Sequence, residues 1–420
     1  MLQTLLLRIK RKYTMEMKHV NDRFFWMVFL FGIGFLPFVF WPWAPVPFEL
    51  PKVWFFLGFI DILCLLMVFG NTDGNPASRS SYPALQGSVW LFIAVACFVS
   101  FLGVDMPKSI WGNYWRLDGL VTLIHLGVLV WVSSRLLTPR RWQSLSLVLS
   151  IGACLLALGA GIQKVWIVCT GYTGDTGVGF VFGQPNFLAG YLAVVFPLVL
   201  ETIQTQFRNR QILRKGLLIG VTAFFLTALW DTGSWGGMAT VTVCFSIFLF
   251  VSVKQKIVKL GILFLSLILV LCAGVFSMGL VQTQITNVTA EGRPRIFMKA
   301  YVSLLKHPIL GWGWANVDHA FVSVDWPYPM RSDVYIDKAH SHIAEILVTT
   351  GILGFVSYLA VWVFLIRALL KIVQQGHALS LILFFLSYAL YTQTNVVSIS
   401  TEILWFVGVG YIAKIESIER

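Results

Sequence analysis

What most limits the fold of this 420-residue chain is the recurrence of long apolar runs separated by short polar ones. A helix needs about 20 mainly apolar residues to cross a bilayer. Runs of that kind fall at 24–43, 53–70, 84–103, 119–136, 143–163, 186–202, 216–231, 237–253, 257–280, 342–369, 379–396 and 402–416. The expected fold is therefore an all-α polytopic membrane protein of about 12 transmembrane helices, with residues 1–420 as a single integral membrane domain. The composition agrees: only 12% of residues are charged and mean hydropathy is +0.79, whereas a soluble domain carries about 25% charged residues.

The charge pattern orients the chain. The net charge is +12, and in a soluble protein that would suggest nucleic acid. Here Lys and Arg crowd into alternate segments, 1–23, 135–142, 203–215 and 254–259. The positive-inside rule accounts for this pattern without a nucleic-acid partner. Both termini are then expected in the cytoplasm, and residues 281–341 form a long extracytoplasmic loop between the ninth and tenth helices. The six cysteines (64, 97, 154, 169, 244, 272) mostly sit in apolar runs; they read as small hydrophobes rather than a disulfide or metal set. The N-terminus is basic, but the first long apolar run starts only at Phe24 and no small-residue cleavage site follows, so no cleavable signal peptide is expected.

The polar residues outside the inner loops crowd towards one side. In DMPKSIWGNYWRLDGL, Arg116 and Asp118 lie at a membrane edge beside Trp111, Tyr114 and Trp115. Arg116 is either a snorkelling belt residue or a cation that faces an outer cavity and grips an anion. GYTGDTGVGFVFGQPNFLAGYL is glycine-rich chain leading to a helix start at Pro185 and Asn186, where free N–H groups could meet a phosphate. From Arg295 to Leu305, Ile296, Phe297, Ala300, Tyr301, Leu304 and Leu305 recur at helical spacing. This predicts an interfacial amphipathic helix, with Lys299 elsewhere on its wheel and Arg293 and Arg295 at its start. Asp61, inside the second apolar run, is an expensive carboxylate that needs either a function or a buried partner.

The stretch Ala339–Gly354, AHSHIAEILVTTGILG, joins the long polar loop to an apolar helix. His340 and His342 are two apart, so on a helix they diverge and make a poor metal pair. One of them suits proton abstraction near neutral pH; the plain alternative is two interfacial imidazoles. Glu345 either orients an imidazole or caps polar groups of the bundle. With Arg116, Arg293, Arg295 and Lys299 nearby in the outer loops, the residues point to a lipid-phosphate site with a proton acceptor, because guanidinium groups suit phosphate oxygens.

At these residues the chain resembles the O-antigen ligase and O-antigen polymerase superfamily of bacterial polysaccharide assembly. Its ligase signature is His, then Asn, Ser or Gln, nine residues, and Gly-x-x-Gly. Here it stands as His340, Ser341, nine residues, Gly351 and Gly354, with Glu345 five residues after the histidine. EGRPRIFMKAYVSLLKHPILGWGW resembles the Gly-Arg block before a Gly-x-Gly turn, at Arg293 and Gly311–Gly313; GQPNFLAGYLAVVFP resembles the Pro-Asn helix start, and IWGNYWRLDGL the Arg-x-Asp-Gly block at Arg116. One departure is Ser234-Trp235-Gly236, where the family often carries Ser-Arg-Gly.

The resemblance implies a GT-C-like fold in the bacterial inner membrane with an extracytoplasmic active site. It implies metal-independent, cofactor-free transfer of a glycan from an undecaprenyl-pyrophosphate donor to lipid A-core or another glycan or protein acceptor, with membrane lipids as neighbours. His340 would activate the acceptor with Glu345 beside it. Arg293, Arg295 and Arg116 would hold the pyrophosphate, and His342, Asn186 and Lys299 would support them. A polymerase of the same superfamily fits the same residues. A lipid-oligosaccharide flippase is the reading from another class: Asp61 favours it, while the lack of a clear internal repeat does not.

Overall fold

The computed structural model describes residues 22–69, 83–172, 177–256, 259, 261, 293–325, 335–373 and 379–415. Among these the chain is helical and without strands. The helices are α1 (22–35), α2 (Glu49–Phe69), α3 (Pro83–Phe101), α4 (Met106–Trp111), α5 (Leu120–Leu136), α6 (Pro139–Thr170), α7 (Pro185–Gln206), α8 (Gln211–Thr232), α9 (Trp235–Ser252), α10 (Arg293–Lys306), α11 (Val317–Val322), α12 (His342–Val373), α13 (Leu379–Tyr391) and α14 (Ile399–Ile415). Seven are long and apolar enough to cross a membrane: α2, α3, α6, α7, α8, α9 and α12. Two shorter helices, α5 and α13, are also apolar.

Local chemistry sets several boundaries. Asp105 accepts from the Lys108 amide to cap α4, Thr138 does so from Arg141 at α6, and Ser234 from Gly237 at α9. Pro139 and Pro185 occupy first turns, where the missing N–H costs nothing. The run 24–43, expected as one span, is instead helical only to residue 35. A short 3-10 turn at Leu36–Phe38 follows, because Pro37, Pro42, Pro45 and Pro47 cannot continue the backbone ladder. The run 379–396 likewise ends its helix at Tyr391. The ninth expected span, 257–280, lies outside the described residues apart from 259 and 261.

One large apolar core joins α1, α2, α3 and α5 to α9 with α12, α13 and α14. Within it α3 packs on α12, α5 on α14, and α7 on α6 and α13. Among the seven candidate spans α7 is the most fully buried. A second, smaller core (Ile296, Ala300, Trp312, Phe321, Ile336, Val348) ties α10 and α11 to the start of α12.

The architecture turns on a break in α12. Gly351 has φ 63° and ψ −166°, so the helix is in two arms. The arms fold towards each other until the rings of His342 and Tyr358 lie 5.3 Å apart. Backbone groups freed at such a break must find partners, and the turn at 308–313 supplies them. Trp312 N–H donates to Val348 O at 3.0 Å and Gly313 N–H to Thr349 O at 2.8 Å. Ile352 N–H donates to Pro308 O at 2.9 Å and Leu353 N–H to Ile309 O at 3.2 Å. The contact is backbone to backbone: a Cβ on Gly351 would stand 2.3 Å from Ile309 O, and one on Gly311 2.5 Å from Gly351 N.

Candidate functional site

A cavity opens between the two arms of α12 and the facing sides of α3, α5, α13 and α14. Its lining divides by chemistry. One part is polar: Arg116, Asp118, Lys338, His340, Ser341 and Asn395. The other is aromatic and apolar, with Phe92, Trp314, Tyr358, Tyr388, Trp405 and Phe406. The carboxylates of Glu49 and Glu402 also face it.

His340 lies in the turn that enters α12. Its φ of 55° is a left-handed conformation for a residue with a side chain, which persists only when the surroundings enforce it. They do so through backbone and side-chain bonds. His342 N–H donates to Thr392 O at 2.9 Å, and the Ser341 hydroxyl donates to Gln393 Oε1 at 3.2 Å. On the other side Glu345 accepts from the Ala339 amide at 3.0 Å and from Lys338 Nζ at 2.6 Å. Glu345 thus bonds the loop that carries His340, and it bonds neither imidazole.

The polar part of the cavity is charge-matched. Lys338 bridges Asp118 at 2.5 Å and Glu345 at 2.6 Å. Arg116 Nε meets Asp337 Oδ2 at 3.0 Å, and Trp115 Nε1 donates to the same oxygen at 3.1 Å. For Lys338, Arg116 and Asp118 burial works against the charge, but the partners outweigh it. Lys338 is held above the ordinary lysine range by Asp118 and Glu345, and Arg116 is raised by Asp337 and Asp118. Asp118 stays below the usual carboxylate range because Lys338, Arg116 and the Asn113 amide oppose its burial. His340 goes the other way: burial first, then the charge of Arg293, lowers its pKa below the ordinary imidazole value. At neutral pH its ring is uncharged and able to accept a proton.

Arg293, at the start of α10, donates to Asn395 Oδ1 at 2.7 Å. That partner is neutral, and among the described residues no carboxylate pairs with Arg293. Arg116, by contrast, spends its charge on Asp337. The turn that opens α9 reaches the same place, since a Cβ on Gly236 would stand 2.5 Å from Asn395 Nδ2. Trp235 is 58% exposed there, edge-on to Trp230 at 5.9 Å.

The structure therefore brings together His340, Arg116, Arg293 and Glu345, with His342 deeper in the cavity between Tyr358 and Tyr388. The other expected residues lie apart from it. Arg295 and Lys299 are 1% and 2% exposed on the inner face of α10, with Lys299 over the Phe321 ring at 6.0 Å; neither lines the cavity. The outward stripe of α10 is Phe297, Tyr301 and Leu305, the side an interfacial helix turns to lipid. Asn186 is tied by its backbone carbonyl to the Tyr391 hydroxyl, away from the lining. Asp61 has found a partner in His125, 3.2 Å away. Sequence reasoning missed Lys338, Asn395, Glu49 and Glu402. The rule that singled out Asp61, a carboxylate inside an apolar run, would have found Glu402 as well.

A helical bundle of membrane-spanning length with a half-polar, half-aromatic cavity beside a broken helix defines a class of polytopic membrane protein with a built site at one end. Residues 220–359 match a family described as Wzy_C, O-Antigen ligase. This match covers 140 of the 420 residues and supports the resemblance to that superfamily seen in the motifs. The matched region runs from α8 to the second arm of α12 and includes Trp235, Arg293, His340 and Gly351. No curated protein matches the chain significantly.

Proposed function

We propose that the chain is a glycosyltransferase of the lipid-linked oligosaccharide kind. It moves a glycan from an undecaprenyl-pyrophosphate donor to an acceptor hydroxyl at the extracytoplasmic face of the bacterial inner membrane. The observation that carries this reading is a neutral, strained His340 lining the cavity, with Arg293, bonded to the neutral Asn395, close enough to lower its pKa. The acceptor oxygen attacks the anomeric carbon while the bond from that carbon to the pyrophosphate oxygen breaks. The hydroxyl proton goes to His340, and the departing pyrophosphate keeps the bonding electrons. Arg293 meets that growing charge, and Arg116, already shared with Asp337, adds to it. These two cations neutralise the leaving group without a metal ion or cofactor. Glu345 acts as a positioning residue through Lys338 and Ala339.

Arg295 and Lys299 are assigned to holding α10 in place rather than to the donor. Trp235 sits beside the Arg293–Asn395 contact, so Trp235→Arg would add a second cation at the rim. A rise in donor use would show that the position still serves the donor; a folded variant with no gain would show that Arg293 suffices.

The test uses protein in liposomes with an undecaprenyl-pyrophosphate oligosaccharide and candidate acceptors. His340-dependent release of lipid pyrophosphate with one product size is expected for a ligase, and a ladder of sizes for a polymerase. Passage of labelled lipid across the bilayer with no release would overturn the transferase reading in favour of transport.

A further inference from the structure

The polar part of the cavity is neutralised, but the remainder is not. Glu49, at the start of α2, accepts from the Ile399 amide with Oε1 at 2.6 Å. Its other oxygen is buried without a partner, and Glu49 is one of the residues that line the cavity. Lys52, one turn on, lends Glu49 its charge but no hydrogen bond: its ammonium donates to the carbonyls of Val39, Phe48 and Val181. Glu402, in the first turn of α14, faces the same space and makes no side-chain hydrogen bond or ion pair among the described residues. A buried carboxylate oxygen without a donor is costly. Glu49 and Glu402, brought from opposite ends of the chain by the bond between Glu49 and Ile399, mark a place where a ligand supplies donors.

The surroundings decide which ligand. The lining holds four carboxylates, Glu49, Asp118, Glu345 and Glu402, against two cations, Arg116 and Lys338. Both cations are already paired. The donor phosphates therefore belong at the rim with Arg293, whose hydrogen-bond partner is the neutral Asn395. Aromatic faces line the rest: Tyr388 stacks on Trp405 at 5.8 Å, and Trp405 stands edge-on to Phe406 at 4.9 Å. Flat apolar faces beside unpaired acceptors fit a ring that is apolar on its face and carries hydroxyl donors at its edge.

We propose that Glu49 and Glu402 form a subsite for a neutral sugar ring, with the sugar's hydroxyls donating to both carboxylates and its face lying on Tyr388 and Trp405. Naming that sugar as the acceptor rests on the glycosyl-transfer reading; the subsite itself does not. It makes the acceptor a neutral hydroxyl-bearing glycan, selected by two helices that contribute nothing to the motif around His340.

The experiment is direct binding of short neutral hexose oligosaccharides to the full-length protein in nanodiscs, by calorimetry and saturation-transfer NMR. Saturable binding is expected in wild type. Glu402→Gln and Glu49→Gln keep the side-chain shape and should each weaken it by about tenfold, the loss of a hydrogen bond to a buried acceptor. Unchanged thermal melting of either variant establishes that it is folded. No saturable binding in wild type, wild-type affinity in both variants, or tighter binding of phosphorylated hexoses or tetramethylammonium would each overturn the proposal. In turnover, Glu402→Gln should raise the acceptor KM and not the donor KM; an equal rise in both would also overturn it. Glu402-dependent sugar binding in a protein that never releases lipid pyrophosphate would leave the subsite standing and remove the transferase reading.

Discussion

The Gly351 junction and the cavity beside it share a wall of α12, yet they treat polar groups in opposite ways. At the junction, Val348, Thr349, Ile352 and Leu353 all bond the 308–313 turn. In the cavity, Glu49 and Glu402 are left open and His340 is held in a strained turn. Satisfied backbone in a helix break is what stability demands; unsatisfied side chains and stored strain are what a working site retains. The contrast separates residues that build the wall from residues that act on what enters it, and substitutions on each side should fail differently.

The largest effect is expected on the cavity side. His340→Ala should reduce transfer by about 10²–10⁴-fold, the usual contribution of a positioned proton acceptor, while membrane insertion and thermal melting stay near wild type. Activity within a few-fold of wild type would end the assignment. On the junction side the loss should be of the fold itself. Gly351→Ala forces a side chain into φ 63° and to within 2.3 Å of Ile309 O, costing about 1–3 kcal/mol for the backbone alone and more for the clash. Gly87→Ala is the control: it lies inside α3 with nothing within 4 Å of a new Cβ, and it should be neutral or stabilise by up to about 1 kcal/mol. Equal melting temperatures for the two variants would mean that the junction bears no strain.

The same contrast divides two arginines on one helix. Arg293→Ala should lower kcat/KM for the donor by about 10–100-fold with little change in stability. Arg295→Ala should cost about 2 kcal/mol or more of stability and leave donor affinity alone in whatever fraction stays folded. Donor titrations beside thermal melts distinguish the two. Reversed outcomes would place the donor against the inner face of α10.

How far the sequence foretold these assignments depends on what each signal averages over. Spans such as α3, α6 and α7 were legible because hydropathy over about 20 residues tolerates local error. The end of α1 was not, since Pro37 and Pro42 broke a run whose hydropathy stayed high. Gly351 was visible as a motif position but not as a break, because apolarity says nothing about φ. The wheel of α10 put Ile296, Phe297, Ala300, Tyr301, Leu304 and Leu305 on one apolar face; the structure divides that set, exposing Phe297, Tyr301 and Leu305 and burying Ile296 and Ala300. The wheel could not say which face turns inward, and the structure buries the side with Arg295 and Lys299. Glu402 was within reach of the rule applied to Asp61, but its meeting with Glu49 depends on α2 and α14 being neighbours, a long-range contact that no local pattern encodes.

The smallest effect is also the most discriminating, because its sign can be set in two directions. As a proton acceptor His340 must be neutral, and burial together with Arg293 lowers its pKa below the ordinary 6.5. The acid limb of the pH–rate profile should therefore fall below pH 6.5, with activity lost only as pH drops through that lower value. Removing a neighbouring positive charge makes the imidazolium less unfavourable, so Arg293→Gln should move the limb to higher pH. Asp337 raises the same pKa, so Asp337→Asn should move the limb to lower pH. Each shift is expected to be within about one unit, the scale of a screened neighbouring charge. If His340 were only part of the wall, both variants would change the rate without moving the limb; opposite movements require that the titrating group lie in the field of both residues, as His340 does.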